Sequence, residues 1–294
     1  MRFRSGFIGL VGPPNVGKST LLNRILGTKV AIVSPKPQTT RTRVAGVFNG
    51  EHCQMIFMDT PGIHRTKTAL HESMVQSALA AFHEVDILVV MIEIARGDDP
   101  EIRTVLRDLR GLKKPCLLVI NKMDRAPRER LLPLMDAYQK KYPFDAIVPI
   151  SALKGDGVDV LLEELKHRLA PGPQLFPPDM HTDQTEHHLI AEIIREQIYL
   201  HMRKELPYSA AVTVTGLSES PDKGLISITA CIHVETESQK GMFIGRKGGT
   251  IKAIGRSARL ELESILGAKV YLNLRVKVEK NWSKDTRALR RLGY

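Results

Sequence analysis

Residues 12–19 read Gly-Pro-Pro-Asn-Val-Gly-Lys-Ser, a run whose residue types and spacing can hold a phosphate chain. They follow an apolar run that predicts a strand, and they precede a pattern that predicts a helix. Backbone N–H groups in such a turn, and at the start of the helix, point at phosphate oxygens. Lys18 is placed to neutralise the β and γ phosphates, and the Ser19 hydroxyl to ligate Mg²⁺. The two prolines lack an N–H, but they stand before the donors, which begin near Asn15.

A second motif, Met58-Asp59-Thr60-Pro61-Gly62, ends a predicted strand, and its aspartate stands forty residues beyond Ser19. An aspartate at the carboxyl end of a strand beside a phosphate loop holds Mg²⁺, often through water. Gly62 suits a backbone N–H that approaches the γ-phosphate. The four residues from Asp59 would be an ordinary turn in isolation, but their spacing from the phosphate loop favours a nucleotide site.

The third motif, Asn121-Lys122-Met123-Asp124, follows the apolar run 116–120. A carboxylate at Asp124 accepts hydrogen bonds from the ring N–H and the exocyclic amine of guanine. Adenine presents an acceptor at the ring position and is repelled, so this site selects guanine. Asn121 and Lys122 brace the loop and cover the base. Ser151-Ala152, after the next predicted strand, would place a backbone N–H on the guanine O6.

A switch loop is predicted between the first two motifs, where residues 34–43 are polar and lack periodicity. A threonine there would complete the Mg²⁺ shell only when the γ-phosphate is present. Thr40 is the first choice for this ligand and Thr39 the second. A threonine-rich loop without this role is the alternative interpretation.

Apolar runs alternate with helical patterns over residues 1–172, which predicts a mostly parallel α/β sheet with helices on both faces. Asn49-Gly50 stands between strand-like residues 44–48 and 53–58, so it predicts a hairpin and a single antiparallel edge strand. The expected strands are 3–11, 86–92, 116–120 and 146–150, and the expected helices are 19–26, 69–83, 100–110, 129–141 and 158–169.

A proline-rich stretch, residues 173–186, predicts a linker to a second domain over 187–294. Helical and alternating patterns in that domain follow the order α-β-β-α-α-β, which predicts a small α+β fold. The formal net charge of the chain is +11, and residues 240–294 hold fourteen Lys/Arg against four Asp/Glu. This uneven distribution indicates a polyanionic partner, although a solvated charged face is the simpler interpretation.

A glycine-rich loop, Ile244-Gly245-Arg246-Lys247-Gly248, lies within the basic segment and fits the GxxG loop of a KH domain. Its glycines let the backbone approach single-stranded nucleic acid, and the residues between them contact phosphates. Ile251 and Ile254 on the following helix would form an apolar floor for bases. Trp282 is expected to pack rather than to stack on a base. The predicted RNA-binding residues are Lys240, Gly245, Arg246, Lys247, Gly248, Lys252 and Arg256.

Together, GPPNVGKS, QTTR, DTPG, NKMD and SA resemble the motifs of the Era family of small GTPases, and the resemblance covers nearly the whole chain. It implies a P-loop GTPase domain followed by a type II KH domain. It also implies a GTP-hydrolysing switch that binds the 3′ end of 16S ribosomal RNA and acts in small-subunit assembly. A cytoplasmic location, with peripheral association at the inner face of the membrane, is a further implication; no DNA partner is expected.

One residue expected to take part in catalysis departs from the usual GTPase pattern. Ile63 stands where many GTPases place a glutamine that orients water. The resemblance implies that catalysis is arranged differently in this family. In related GTPases with an asparagine at the position of Asn15, a bound potassium ion supplies positive charge. Arg41 and Arg43 are alternative sources of that charge.

The motifs and the resemblance together predict three sets of residues. The predicted catalytic residues are Asn15, Lys18, Thr40 and Gly62, and the Mg²⁺ ligands are Ser19, Thr40 and Asp59. The predicted nucleotide-binding residues are Gly12, Pro13, Pro14, Asn15, Val16, Gly17, Lys18, Ser19, Thr20, Asp59, Thr60, Pro61, Gly62, Ile63, Asn121, Lys122, Met123, Asp124, Ser151, Ala152 and Leu153.

Two other functions remain open at this level. One is a subunit of a potassium-dependent, tRNA-modifying GTPase, for which the sequence shows no further catalytic motif. The other is an RNA-binding protein with an inactive GTPase half, which the intact Lys18, Ser19, Asp59 and Asp124 disfavour. Composition excludes several other classes: no apolar run reaches transmembrane length, and Cys53, Cys116 and Cys231 show neither disulfide nor zinc spacing.

Overall fold

A computed structural model describes residues 2–36, 39, 41, 44–59, 84–96, 99–220 and 224–293. These residues form two compact units. The first unit holds the described residues up to 31 and those between 41 and 183; the second holds those of 32–39 and those from 184 onward. The helix expected at 69–83 lies outside the described residues. No helix in the described ranges is both long enough and apolar enough to cross a membrane.

The first unit contains one six-stranded sheet. Its strands are β1 (Arg4–Val11), β2 (Val44–Gly50), β3 (Cys53–Asp59), β4 (Ile87–Glu93), β5 (Cys116–Asn121) and β6 (Ala146–Pro149). They lie in the order β2-β3-β1-β4-β5-β6. Only the β2–β3 pair is antiparallel, so the predicted parallel sheet with one antiparallel edge strand is confirmed. The carboxyl ends of β1, β3 and β5 meet at one edge, and the three motifs lie at these strand ends.

The hairpin between β2 and β3 turns two residues later than predicted. Asn49 and Gly50 are still paired in β2, opposite Gln54 and Cys53. The turn is Glu51-His52, with His52 in the left-handed region at φ 58°. Strand pairing is extended because the Gln54 amide donates to the Asn49 side-chain oxygen at 2.8 Å, across the two strands.

Helices cover both faces of this sheet, as predicted. They are α1 (Lys18–Leu26), α2 (Pro100–Leu109), α3 (Leu131–Lys141) and α4 (Val158–Arg168). Leu22 of α1 and Leu165 of α4 pack in the core on one face, while Leu106 of α2 and Tyr138 of α3 pack on the other. Every residue of β3 and β5 is buried, and both strands are accordingly apolar except at Gln54, Asp59 and Asn121.

Residues 173–183, the first part of the predicted linker, bond to the antiparallel edge of the sheet. The Gln54 side-chain oxygen accepts from the backbone N–H groups of Leu175 and Phe176 at 2.7 and 2.9 Å. The Val47 N–H donates to the carbonyl of His181 at 2.9 Å. The boundary between the compact units follows Asp183. This stretch therefore covers a strand edge that would otherwise leave backbone groups unpaired.

The second unit has the predicted α-β-β-α-α-β order. Its elements are α5 (Glu186–His201), β7 (Ala211–Ser220), β8 (Leu225–Val234), α6 (Glu237–Ile244), α7 (Gly249–Leu266) and β9 (Lys269–Val278), followed by α8 (Thr286–Arg291). The sheet order is β7-β8-β9, with β7–β8 antiparallel and β8–β9 parallel. Trp282 is fully buried and its indole N–H donates to the Ser209 carbonyl, so the prediction of a packing role is confirmed.

Candidate functional site

The phosphate loop between β1 and α1 requires its two glycines for steric reasons. A Cβ on Gly12 would lie 2.5 Å from the carbonyl oxygen of Met91. Gly17 has φ 106°, and a Cβ there would lie 2.3 Å from Nδ2 of Asn121. Any side chain at either position would push the loop away from the sheet edge. The phosphate loop therefore packs closely against both β4 and the Asn121-Lys122-Met123-Asp124 motif.

Lys18 begins α1 and is held inside the phosphate loop. Its side chain is 6% exposed, and Nζ donates to the carbonyls of Gly12 and Pro13 at 2.9 and 3.1 Å. Burial lowers the pKa of this ammonium, and the charge of Asp59 acts in the opposite direction. The loop carbonyls thus hold the Lys18 ammonium in the phosphate loop. When a nucleotide binds, its phosphate oxygens would replace these carbonyls as hydrogen-bond partners of Lys18.

Ser19 and Asp59 meet at the point where a nucleotide-bound metal would lie. The Ser19 hydroxyl donates to Oδ2 of Asp59 at 2.6 Å, and Asp59 is fully buried. A hydroxyl and a carboxylate are hard oxygen ligands of the kind that Mg²⁺ takes together with phosphate oxygens and water. The two predicted ligands therefore fit Mg²⁺. Thr40, Thr60, Pro61, Gly62 and Ile63 lie outside the described residues.

Asp124 is presented as an ionised acceptor. Its Oδ1 accepts a hydrogen bond from the Ser151 hydroxyl at 2.6 Å. That bond, aided by the charges of Lys154 and Arg125, lowers the pKa of Asp124 below its usual value. The Asp124 carboxylate is consequently charged throughout the physiological pH range and acts only as a hydrogen-bond acceptor. Guanine offers it hydrogen-bond donors, and adenine does not.

Asn121 ties three loops of the site together. Its Nδ2 donates to the Val16 carbonyl of the phosphate loop at 2.8 Å. Its Oδ1 accepts from the N–H groups of Lys122 and Ala152 at 2.7 and 3.0 Å. Because the side chain is 2% exposed, all three bonds are shielded from water. The predicted bracing role of Asn121 is visible as these contacts.

In the loop after β6, the N–H groups of the two residues predicted to face guanine are bonded within the protein. The Ala152 N–H is occupied by Asn121, and the Ser151 N–H donates to the Asp156 carbonyl at 3.0 Å. For Leu153 the described structure shows no acceptor of the backbone N–H, and the residue is 59% exposed. The described residues of this loop thus leave the Leu153 N–H without a protein acceptor, whereas the N–H groups of Ser151 and Ala152 have one.

Two side chains at this site were missed by the sequence reasoning. Arg24, in the last turn of α1, donates through Nε to the Ala152 carbonyl at 3.3 Å and through Nη2 to the Leu153 carbonyl. Glu93, at the end of β4, forms a 2.8 Å ion pair with Lys122. Neither residue belongs to a motif, and their partners lie 128 and 29 positions away. Local sequence carries no signal for either contact.

The second-choice switch residue, Thr39, is bonded within the second unit. Its Oγ1 donates to the Lys36 carbonyl at 2.8 Å, and its carbonyl accepts from Nη2 of Arg195 at 2.5 Å. The Val33 N–H donates to Glu196, also on α5, at 2.8 Å. The described part of 32–39 is thus held on α5, an attachment that the loop's composition does not predict.

The GxxG loop lies between α6 and α7, as predicted. A capping box at Thr236 begins α6, and Gly245, with φ 73°, ends it. A Cβ on Gly245 would lie 2.1 Å from Oγ1 of Thr250. Lys247 and Gly248 both have positive φ, at 51° and 75°. This tight double turn brings the loop backbone to the surface, where a nucleic-acid backbone can approach it.

The predicted RNA-binding cations divide into two kinds. Arg246, Lys247, Lys252 and Arg256 are exposed and, among the described residues, pair with no carboxylate. Lys240 is half-buried and lies 3.7 Å from Glu237. Ile254 is fully buried in the core, so the prediction that it forms part of an apolar floor is wrong: its helix position faces the sheet. Met242 and Ile244 are the exposed apolar side chains beside the loop.

Comparisons with known proteins match both parts of the chain. Residues 7–122 match the family of 50S ribosome-binding GTPases, and residues 205–283 match the KH domain family. GTPase Era of Syntrophus aciditrophicus is 49% identical over 292 residues, which cover 99% of this chain and 95% of that protein. GTPase Era of Geotalea uraniireducens is 50% identical over 293 residues, covering 100% and 98%.

Two solved structures are similar over 99% of both chains, each with 43% identity and a TM-score of 0.95. One is a single-residue variant of Era from Aquifex aeolicus bound to GDP·AlF4⁻. The other is Era in complex with MgGDPNP and nucleotides 1506–1542 of 16S ribosomal RNA. With both domains, the three nucleotide motifs and this full-length identity, the chain belongs to the Era family of GTPases.

Proposed function

We propose that GTP binding and hydrolysis by this chain control its binding to single-stranded RNA at the 3′ end of 16S ribosomal RNA, in assembly of the small ribosomal subunit. The observation that carries the proposal is the similarity, over nearly the full length, to the Era protein bound to MgGDPNP and nucleotides 1506–1542 of that RNA. The exposed Arg246 and Lys247 of the GxxG loop supply the phosphate contacts, and Asp124 selects the nucleotide.

The proposal is tested by measuring RNA affinity and GTP turnover on the same full-length protein. A synthetic RNA with the sequence of the 16S 3′ end should bind more tightly in the presence of a GTP analogue with Mg²⁺ than with GDP. Addition of small ribosomal subunits should change GTP turnover. Equal RNA affinity with the two nucleotides would contradict the coupling, and absence of binding in both would contradict the RNA assignment.

We further propose that GTP hydrolysis is slow and uses a potassium ion beside the phosphates. Two features support this: Ile63 cannot orient water, and Asn15 stands exposed in the phosphate loop with φ 61°. Asn15 carries the site in this proposal, because its side-chain oxygen suits a monovalent cation.

Potassium use predicts an ion-dependent rate. GTP hydrolysis should be several-fold faster in potassium than in sodium chloride at equal ionic strength, and Asn15→Ala should remove the difference. Equal rates for the unmodified protein in the two salts would exclude the potassium site. Attention would then pass to Arg41, Arg43 or a group supplied by the ribosomal subunit.

A cytoplasmic location, with peripheral attachment to the inner face of the membrane, completes the proposal. Nucleotide and ribosomal RNA are cytoplasmic partners, and the net charge of +11 favours contact with anionic lipid headgroups. Fractionation of cells should find the protein in the soluble fraction, with a part that washes off membranes at high salt. A salt-resistant membrane fraction would contradict peripheral attachment.

A further inference from the structure

The second unit has a second basic surface, on the outer face of its sheet. β9 is an edge strand, and its residues alternate between the two faces. Val270, Leu272, Leu274, Val276 and Val278 pack against the core formed with α5 and α7. Lys269, Tyr271, Asn273, Arg275 and Lys277 therefore stand on the opposite face, which we call the outer row.

Within the described part of the chain, the cations of the outer row have no acidic partner. Lys269, Arg275 and Lys277 are exposed, and none of them forms an ion pair with a carboxylate of the described residues. Two arginines nearby behave differently: Arg259 pairs with Glu263 at 3.4 Å, and Arg291 pairs with Glu279. Uncompensated positive charge is the property that the outer row shares with the GxxG loop.

The field of these cations extends over the neighbouring strand. Cys231 lies opposite Arg275 in β8, and the charges of Lys277 and Arg275 act to lower the pKa of its thiol against the effect of burial. His233 lies opposite Lys277, and burial, aided by Arg291 and Lys277, lowers its pKa to about 4. For both neighbours burial is the larger cause of the pKa shift, and the cations of the outer row are smaller influences that act to lower the pKa. Glu279 is the carboxylate that faces this surface, and it is bound by His233 and Arg291.

Tyr271 adds an apolar platform to this charged row. Its side chain is 61% exposed, the largest exposure among the large hydrophobic residues of the second unit's described part. The residue opposite it in β8 is Ser227, followed by Thr229 opposite Asn273. These small polar side chains leave the surface around the ring low and open. A base has a π-face that can stack on such a ring, whatever its identity.

The outer row is separate from the GxxG loop. That loop leads directly into α7, which packs on the inner face of the sheet through Ile254, Ala258 and Leu262. The outer row points away from that face. At about 3.3 Å per residue, its length from Lys269 to Lys277 is roughly 26 Å, enough to follow several nucleotides.

We propose that the outer row is a second RNA-binding surface, on which Lys269, Arg275 and Lys277 contact phosphates and Tyr271 stacks on a base. This inference rests on the proposed RNA-binding function. Open sheets that combine exposed aromatic rings with basic side chains are one of the common ways in which proteins bind single-stranded RNA. An acidic protein would satisfy the cations but would leave the exposed ring without a role, so RNA is the partner that fits both features.

The test compares two RNAs on the full-length protein with a GTP analogue and Mg²⁺. The short RNA carries only the few nucleotides that a GxxG groove holds, and the long RNA extends well beyond them. Arg275→Gln with Lys277→Gln should weaken binding of the long RNA at least tenfold and leave the short RNA unchanged. The log–log salt slope for the long RNA should fall by about 1.4, since each lost phosphate contact removes about 0.7.

Matched variants separate charge, stacking and folding. Arg275→Lys keeps the charge and should bind the long RNA like the unmodified protein. Tyr271→Ser should lower long-RNA affinity several-fold without changing the salt slope. Arg110→Gln with Lys113→Gln removes two exposed cations of the first unit and should change nothing. Thermal unfolding of each variant checks the fold, which these exposed side chains should not affect.

Three results would overturn the inference. The double variant could bind the long RNA as the unmodified protein does. Poly-glutamate could compete with the long RNA at equal charge while Tyr271→Ser has no effect, which would indicate an acidic protein partner. Finally, the unmodified protein could bind neither RNA; the proposed function would then fail together with the second surface, whereas short-RNA binding alone would leave the proposed function intact.

Discussion

The nucleotide site buries its polar groups in hydrogen bonds, whereas the RNA interface keeps its cations in solvent. Asn121 and Asp59 are almost inaccessible, and each bonds to groups on other loops. Arg246 and Lys247 are exposed and pair with no acid in the described structure. The difference determines how each region responds to change. Loss of a buried partner leaves an unsatisfied group and a large, salt-insensitive penalty, while loss of an exposed cation removes one additive, salt-sensitive contact.

The largest expected effect is at Asp124, because its role is to receive two donors of the base. Asp124→Asn should weaken GTP binding by at least about 3 kcal/mol, since mispaired groups are left at the base. Xanthosine triphosphate, which offers an acceptor to the new amide, should bind the variant better than GTP. Isothermal titration with both nucleotides measures this. Asp136→Asn, on the exposed face of α3, is the control, and unchanged GTP affinity in Asp124→Asn would contradict guanine selection.

The GxxG loop should respond through charge. Arg246→Asp with Lys247→Asp should abolish binding of a short single-stranded RNA that only the GxxG groove holds, and leave intrinsic GTP hydrolysis unchanged. Binding by the unmodified protein should fall steeply with salt, with a log–log slope of about −0.7 per neutralised phosphate. Fluorescence anisotropy over a salt series provides the measurement. Wild-type affinity in the double variant would show that the GxxG loop is not the RNA contact.

The contrast between the regions also explains what sequence reasoning could predict. Lys18, Asp59 and Asp124 lie at strand ends in a fixed order, so the parallel sheet brings them to one edge wherever the motifs occur. Arg246 and Lys247 belong to a loop whose two glycines are required by its backbone geometry. In both cases the constraint that places the residues, a strand end or a glycine-dependent turn, is visible in the local sequence. The fold itself could be predicted from the alternation of apolar runs with helical patterns.

Contacts between distant segments escaped prediction for the same reason. Arg24 reaches carbonyls more than 120 positions away, and Thr39 bonds to Arg195 on α5. The turn at Glu51-His52 depends on a side-chain bond across β2 and β3, which overrides the turn preference of Asn49-Gly50. No local pattern records which distant carbonyl a side chain will meet.

Arg24 allows the nucleotide site to be tested away from its motifs. Its guanidinium holds the carbonyls of Ala152 and Leu153. We expect these bonds to position the Leu153 N–H for the guanine O6. Arg24→Gln should weaken GDP binding about tenfold, or roughly 1.4 kcal/mol. The loss should be much smaller for 2-aminopurine riboside diphosphate, which lacks O6. Competition with a fluorescent GDP measures both, and Arg110→Gln is the control; equal losses for the two nucleotides would indicate a structural role only.

The smallest predicted effect is a pH dependence of stability, which is expected from His233 in the second unit and not from Asp124 in the nucleotide site. In the second unit His233 Nδ1 lies 3.0 Å from Oε2 of Glu279, and Nε2 lies 2.8 Å from Oγ1 of Thr213. Because an ionised carboxylate only accepts, Nδ1 carries the proton, and a neutral ring then accepts from Thr213 through Nε2. Burial, Arg291 and Lys277 lower its pKa to about 4, below the ordinary 6.5 of an unfolded chain. As pH falls below 6.5, the unfolded chain takes up a proton that the folded chain refuses, so stability declines until about pH 4. Between pH 7.5 and 5.5 the loss should be about 1 kcal/mol, whereas the lowered pKa of Asp124 keeps that carboxylate ionised over the same range.

Urea unfolding of the second unit, followed by the fluorescence of Trp282, should show this loss, and His233→Gln should remove it. An identical pH dependence in the variant would place the titrating group elsewhere.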